Sequence, residues 1–524
     1  VVTAATPVAS VTARPEIARN HTWISSNWAD AALVAGITVL AAILRLQGIA
    51  ARELWFDETL SVGVAKMPWP HLFLTLWYRE ANGALYFLLL HFWLALGTTP
   101  GIIRGLSALF GVATVPVTYA LGARFFGRKT GLIAAWFLAL NAFHIRYSQE
   151  ARGYSMVVFF GALATWLLLR NLEEPASAHW GLYAVACAAA VYSHMFGLLV
   201  VVVHGLSLTL PRRPPIPWRD IARSMFWFSC LVLPLGIFSL RSRTTTVDWI
   251  PPTQPDTILN FWRDLAGNSG YLLVGFEVLA IIASAVPACR ALRGENQKKD
   301  RWTFALLFAW LFVPPAIAIA ASWMHPIFLS RYLIICLPAL GLLASFGITQ
   351  VRPAVLASLL LAFISGLSLF GAVNYHQREI PRLSDGWSAA SSYVFNQAQP
   401  GDGVYFYMST GHIPFEYYRS QRHPTPMWPQ PLDSTTGMTL TPSDFQFLPI
   451  AERLSDTQAA GDRVWLVLQY DTVLSGLPDK GSNFVRGYFA RGRQLAETKR
   501  FVGVTVQLFS RASVGTSQVA AVTP

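Results

Sequence analysis

The sequence is poor in charge and in cysteine. Only 13% of its 524 residues are Asp, Glu, Lys or Arg, where a soluble domain carries about 25%. Apolar residues make up 53%, and the mean hydropathy is +0.41. That balance excludes a disordered chain and argues against an ordinary cytosolic enzyme. The four cysteines, Cys187, Cys230, Cys289 and Cys336, all fall in apolar runs. None has the CxxC or Cys/His spacing of a zinc site. The polar stretch after Asn374 holds no cysteine and needs no disulfide. Nucleotide-handling signatures are also missing: there is no P-loop, and no GxGxxG between a strand and a helix. A cleavable signal peptide is not expected. Residues 1–30 are polar, carry Arg14 and Arg19, and read as a cytoplasmic lead.

Apolar runs of crossing length are abundant. A spanning helix needs about 20 mostly apolar residues, and eleven windows qualify as candidates: 31–50, 103–123, 131–146, 153–169, 180–194, 196–210, 221–240, 271–289, 302–321, 331–348 and 354–373. The fifth and sixth are divided at His194-Met195-Phe196-Gly197, because the joint run is too long for one crossing. Residues 84–97 are too short to cross and are expected as a juxtamembrane helix on the outer face. A crossing there would also carry Arg124, Arg128 and Lys129 outside.

Charge then sets orientation. The inner segments of this scheme hold 16 Lys and Arg and the outer loops before residue 374 hold ten, so the N-terminus is expected inside and the C-terminus outside. Most of the +12 net charge thereby faces the cytoplasm, which removes the motive for a nucleic-acid partner. Beyond Asn374 the pattern changes. Strands are expected at 404–408, 463–468 and 501–509, with helices around 385–398 and 482–493. Residues 424–444 read as loop and the final fourteen as disordered. The expected organisation is a lead (1–30), a transmembrane domain (31–373) with an outer-face loop (51–102), and an extracytoplasmic α/β domain (374–524).

The chemistry-bearing residues gather on the outer side. Leu54-Trp55-Phe56-Asp57-Glu58-Thr59 follows the first span directly and sets two carboxylates among interfacial aromatics. A carboxylate at the rim of a low-dielectric site can serve as a base; the plainer reading is a solvated acidic pair. Arg146-Tyr147-Ser148-Gln149-Glu150-Ala151-Arg152-Gly153-Tyr154 ends the third span on the same side. Polar groups at that boundary are costly and often functional. Glu150 and Arg152 either lock to each other or line a site for an anion, since Arg suits phosphate. Arg331 and Tyr332 open the tenth span, after His325-Pro326. Tyr192 and His194 close the fifth, and Arg263 lies in the loop before the eighth. Glu277, inside the eighth span, receives no role.

These residues resemble a known family. The order Trp55-Phe56-Asp57-Glu58, then Ala81-Asn82-Gly83-Ala84-Leu85-Tyr86, then Tyr147 to Tyr154 looks like the multi-spanning GT-C glycosyltransferases, in particular the bacterial relatives of protein O-mannosyltransferases and of the lipid A aminoarabinose transferase. The chain departs from many relatives in having Gly83-Ala84 where they have Pro-Pro. The resemblance implies an inverting transferase in the bacterial inner membrane, moving a hexose or pentose from a polyprenyl-phosphate donor to a hydroxyl on a protein, glycolipid or polysaccharide. It implies Asp57 as the base, with Glu58 orienting the site or touching the acceptor. Gln149, Glu150, Arg152, Tyr154, Arg331 and Tyr332 would hold the donor and its phosphate. Tyr86, His194, Arg263 and His325 would be further substrate contacts. Whether Asp57 and Glu150 share a divalent cation is left open.

Two other readings compete. A transporter of lipid-linked glycans would use the same polar groups without covalent chemistry, but no internal repeat is visible. A membrane-anchored binding protein would act through tail aromatics such as Tyr405, Tyr407, Tyr417, Tyr418 and Trp428.

Overall fold

The longest apolar windows fold as the longest helices. The computed structural model describes residues 28–78, 80–210, 216–241, 250–293, 298–379, 386–432, 461–469 and 480–511. Most of the expected lead, part of the 241–270 loop, residues 433–444 and the last thirteen residues lie outside them.

Helix α1 (Trp28–Leu46) leads into three short helices: α2 (Phe56–Ala65), α3 (Trp69–Tyr78) and α4 (Ala84–Trp93). Then follow α5 (Pro100–Phe126), α6 (Arg128–Leu140), α7 (Ala142–Ser148), α8 (Tyr154–Glu173), α9 (Trp180–Ser193) and α10 (Gly197–Leu208). The membrane part closes with α11 (Trp218–Arg241), α12 (Pro255–Ala266), α13 (Tyr271–Arg293), α14 (Lys298–Ser322), α15 (Leu337–Gln350) and α16 (Ala354–Asn374). A 3-10 segment, Ser330–Cys336, runs into α15.

Among the described residues, seven helices are long and apolar enough to cross a bilayer, or eight if the pair α12–α13, bent by 75°, counts as one span. The chain is a multi-pass membrane protein. The count of eleven does not follow from helix length: α9 and α10 have 14 and 12 residues, below the ~20 that a crossing takes. The expected span 131–146 is broken. Asn141 ends α6 and caps α7, its side-chain oxygen accepting the His144 N–H at 2.9 Å. Helices α8 and α15 form the buried centre, while α1 and α16 lie at the rim. Small residues let the helices approach: a Cβ on Gly131 of α6 would stand 2.6 Å from the Tyr119 carbonyl of α5.

The soluble part adds α17 (Trp387–Gln397), β1 (Gly403–Tyr407), α18 (His412–Ser420), β2 (Gln430–Pro431), β3 (Arg463–Gln469), α19 (Lys480–Phe489), β4 (Gln494–Phe501) and β5 (Val504–Ser510). The sheet order is β2-β1-β3-β5-β4, with β1 parallel to β2 and β3, and β5 antiparallel to β3 and β4. Helices cover both faces, so β1 and β5 bury successive side chains rather than alternate ones. The expected strand 501–509 is corrected to a hairpin that turns at Val502-Gly503, with Gly503 at φ +72°. Its first arm, β4, is an exposed edge strand with almost no buried face, so no apolar pattern announced it.

This domain sits on the outer loop. Tyr418 of α18 donates to the Leu54 carbonyl at 2.8 Å. Ile413 and Tyr417 pack into the apolar cluster of Leu54, Leu60 and Leu76. Tyr405 and Tyr407 lie in the domain's own core, and Trp428 is half-buried.

Candidate functional site

The first turn of α2 carries both carboxylates. Acidic side chains suit that end of a helix, where unpaired N–H groups point outward. Glu58 turns inward and is fully buried. Arg104 of α5 grips it with two bonds of 2.7 Å, the Ala151 N–H donates to it at 3.0 Å, and Arg52 stands 3.8 Å away. Burial alone would push its carboxyl up; Arg104, Arg52 and the Ala151 N–H outweigh that and hold it below the usual range. Arg104 also donates to the carbonyls of Ile49, Arg52 and Glu53. One guanidinium therefore ties the end of α1, the start of α2 and the turn before α8 together. Glu58 is thus a fixed strut beneath the site.

Asp57 points the other way. It is half-buried, and its charge acts on Arg152, Arg331, Tyr154 and Tyr332. Arg152 lies at the end of the turn between α7 and α8, 3.5 Å from Ser61 Oγ and over the Phe87 ring at 6.0 Å. Arg331 stands over Tyr332, 5.7 Å from the ring centre.

Next to these charges is a cleft of about 330 Å³, lined by Tyr86, Phe87, Arg152, Tyr154, His194 and Tyr332 among others. The rings form one aromatic wall. His194 and Tyr332 are 4.7 Å apart, Tyr154 and His194 5.6 Å, and Tyr154 and Tyr332 are stacked at 6.4 Å. His194 is buried in this wall and accepts the Phe196 N–H at Nδ1. Ser107 Oγ fixes the floor, 3.0 Å from Tyr86 Oη and 3.1 Å from the Arg152 carbonyl. The wall is made by close backbone packing: a Cβ on Gly153 would meet the Ser193 carbonyl at 2.3 Å.

Not every expected residue reaches the cleft. Gln149 is buried and fully used, donating to the carbonyls of Arg45 and Gln47 and accepting from Tyr375 Oη at 3.0 Å. Glu150 is buried beside Arg146, at 3.8 Å, and not paired with Arg152. Arg263 lies on α12 with Asp264 at 3.7 Å, and His325 is exposed on the segment after α14. Among the described residues no group of three or more His, Cys, Asp and Glu gathers around a common point.

One participant was not anticipated. Glu80, half-buried before α4, sits in the field of Arg152 and Asp57. Burial and the Asp57 charge raise its carboxyl to about 7 against the opposing pull of Arg152. Its place next to the Ala81-Asn82-Gly83 motif was the available signal.

Fold and site can now be set beside known proteins. Residues 67–240 match the family described as dolichyl-phosphate-mannose-protein mannosyltransferase. No curated protein matches the chain by sequence. In structure the chain is similar to ArnT from Cupriavidus metallidurans bound to undecaprenyl phosphate, at 14% identity and a TM-score of 0.57, covering 91% of this chain and 98% of that one. It is also similar to the oligosaccharyltransferase AglB from Archaeoglobus fulgidus with an inhibitory peptide and a dolichol-phosphate, at 10% identity and TM-score 0.51, covering 85% and 70%. The same enzyme with Zn and sulfate aligns at 11% and 0.51, covering 84% and 68%. The fold that this chain shares with these proteins over most of its length is that of the GT-C membrane glycosyltransferases. The stretch matched by the mannosyltransferase family, residues 67–240, includes the Ala81-to-Tyr86 and Tyr147-to-Tyr154 motifs.

Proposed function

We propose that the chain is an inverting glycosyltransferase that moves one sugar from a polyprenyl-phosphate donor to an acceptor hydroxyl at the outer face of the membrane. The observation that carries the reading is Asp57, the half-exposed carboxylate facing Arg152 and Arg331 beside an aromatic-walled cleft. The undecaprenyl phosphate bound to ArnT and the dolichol-phosphate bound to AglB support the donor class. In this reading the chain crosses eleven times with its N-terminus inside, and the sheet domain roofs the site.

The acceptor hydroxyl gives its proton to Asp57 as its oxygen forms the bond to the anomeric carbon. The bond from that carbon to the phosphate oxygen breaks on the opposite face, so configuration inverts in a single displacement. Polyprenyl phosphate leaves with the electron pair, and Arg152 and Arg331 take up the growing negative charge. The wall of Tyr154, His194 and Tyr332 holds the sugar. Glu58 keeps the α2 turn, and so Asp57, in place. Gln149 and Glu150 act from behind the site as positioning residues.

The test is transfer by the purified protein with a radiolabelled polyprenyl-phosphate sugar. Asp57→Asn should lower turnover by about 10²- to 10⁴-fold with folding intact. Unchanged turnover on a functional donor would remove Asp57 as the base. Movement of the lipid sugar across vesicles without release of polyprenyl phosphate would favour the transporter reading.

A further inference from the structure

The turn that carries Arg152 is held from several directions. The Ala151 N–H is bound to Glu58 of α2 at 3.0 Å, and the Arg152 carbonyl to Ser107 Oγ of α5 at 3.1 Å. A further anchor comes from the other end of the chain. Tyr375, 226 residues beyond Gln149, donates its hydroxyl to Gln149 Oε1 at 3.0 Å, and both residues are buried. The rest of the Gln149 amide fixes the sense of this bond. Its nitrogen is a donor only, and it donates to the Arg45 carbonyl at 2.9 Å and to the Gln47 carbonyl at 2.8 Å. The amide oxygen therefore faces Tyr375, whose hydroxyl must be the donor. Arg52 takes the Gln149 backbone carbonyl at 2.8 Å. Held at both its side chain and its carbonyl, Gln149 fixes where the turn begins.

Tyr375 stands at a junction. It ends α16 and opens a π-helical turn, Tyr375–Glu379, on the way to α17 of the sheet domain. Such turns are rare and recur at functional positions. Its ring packs with Leu44 of α1, Leu140 of α6, and Ala142 and Ile145 of α7, so apolar contact holds the ring independently of the hydroxyl. The hydroxyl thus links the exit of α16 to the turn that aims Arg152. The sheet domain also touches the segment before Asp57, through the Tyr418 bond to the Leu54 carbonyl. Both charged arms of the site are therefore tied to that domain or to the chain that leads into it.

We propose that Tyr375 is a positioning residue whose hydroxyl, acting through Gln149, holds Arg152 where it meets the donor phosphate and makes that grip depend on the exit of α16. The proposal rests on the transferase reading, in which Arg152 takes up the phosphate charge. The probe is undecaprenyl phosphate, titrated onto the full-length protein in nanodiscs. Tyr375→Phe removes one hydroxyl and keeps the ring. It should weaken binding about two- to tenfold, the worth of one neutral hydrogen bond. Arg152→Ala should weaken binding more, and Tyr375→Phe added to Arg152→Ala should change nothing further, since the cycle isolates the coupling of the two residues. A hydroxyl that only stiffens the fold would weaken binding equally in both backgrounds. Replacing Tyr375 by p-aminophenylalanine, which keeps an N–H donor at that place, should restore binding. Hydrogen exchange of the peptide 147–154 should quicken in Tyr375→Phe, a readout that needs neither ligand nor Arg152→Ala. Unchanged binding in Tyr375→Phe, an additive cycle, no rescue or unchanged exchange would each overturn the proposal and leave the transferase reading standing. Full binding by Arg152→Ala would remove the phosphate ligand from that reading, and this proposal would fall with it.

Discussion

Asp57 and Glu58 are adjacent in the chain, yet one helical step separates two electrostatic environments. Glu58 sits in a dry socket of two guanidiniums and an N–H, and Asp57 opens toward the cleft. Breaking a buried pair leaves uncompensated charge behind, at a cost of roughly 3–5 kcal/mol. Glu58→Gln should therefore lower the melting temperature of the solubilised protein sharply, where Asp57→Asn should leave it nearly unchanged. Equal melting temperatures for both variants would contradict the division into strut and base. Glu80 gives a pH prediction. Its carboxyl lies near 7 in the folded protein, above its ordinary 4.5. The folded state then holds the proton that the unfolded state has lost, so its contribution to stability falls as pH rises from about 4.5 through 7. Above 7 an ionised Glu80 competes with the donor phosphate for Arg152. The KM for a polyprenyl-phosphate sugar, a diester that does not itself titrate there, should rise across pH 6–8. Glu80→Gln should flatten that rise, and an unaltered profile would remove Glu80 from the site.

At the scale of elements, the cleft depends on how closely α8 approaches the end of α9. Gly153, the residue before α8, stands where a methyl would be 2.3 Å from the Ser193 carbonyl; within α8 a methyl on Gly161 would meet Val200 at an ordinary 3.5 Å. Overpacking costs about 1–3 kcal/mol. Gly153→Ala should lower both thermal stability and turnover by pushing His194 away from Tyr332, while Gly161→Ala should be tolerated. Matching behaviour of the two in melting and transfer assays would refute this packing account. The same scale explains what could be read in advance. The apolar windows marked the long helices, and the Asp57 and Arg152 motifs marked the candidate cleft, because burial and boundary charge leave local traces. The Asn141 break left only a polar residue in an apolar run. Helices α2 and α3 were missed because their packing partners are distant in sequence: Tyr417 of α18 covers α2 from 360 residues away. The turn 149–153 was legible as polar, but not the direction of each side chain. Spacing alone cannot tell that Gln149 and Glu150 face inward while Arg152 faces the cleft.

At the scale of the whole molecule, the transfer reading requires the site and the sheet domain to share the side of the membrane opposite the basic loops. The geometry links the first two: α18 is hydrogen-bonded to the segment that leads into α2, so whichever side holds the domain also holds Asp57. The bias of Arg and Lys sets the third, with Lys129 exposed in the first turn of α6 at the far end of α5 from Arg104. Cysteine labelling decides the matter. Of the native cysteines described, Cys187 and Cys336 are buried and Cys230 is exposed, so Cys230→Ser is the background to use. Asp462→Cys, at a position with a 78% exposed side chain, should react with an impermeant maleimide on intact cells. Lys129→Cys should react only after the membrane is permeabilised. The opposite pattern would put Asp57 in the cytoplasm, where a base facing an outer-leaflet donor has no substrate, and the transferase reading would fail with the topology.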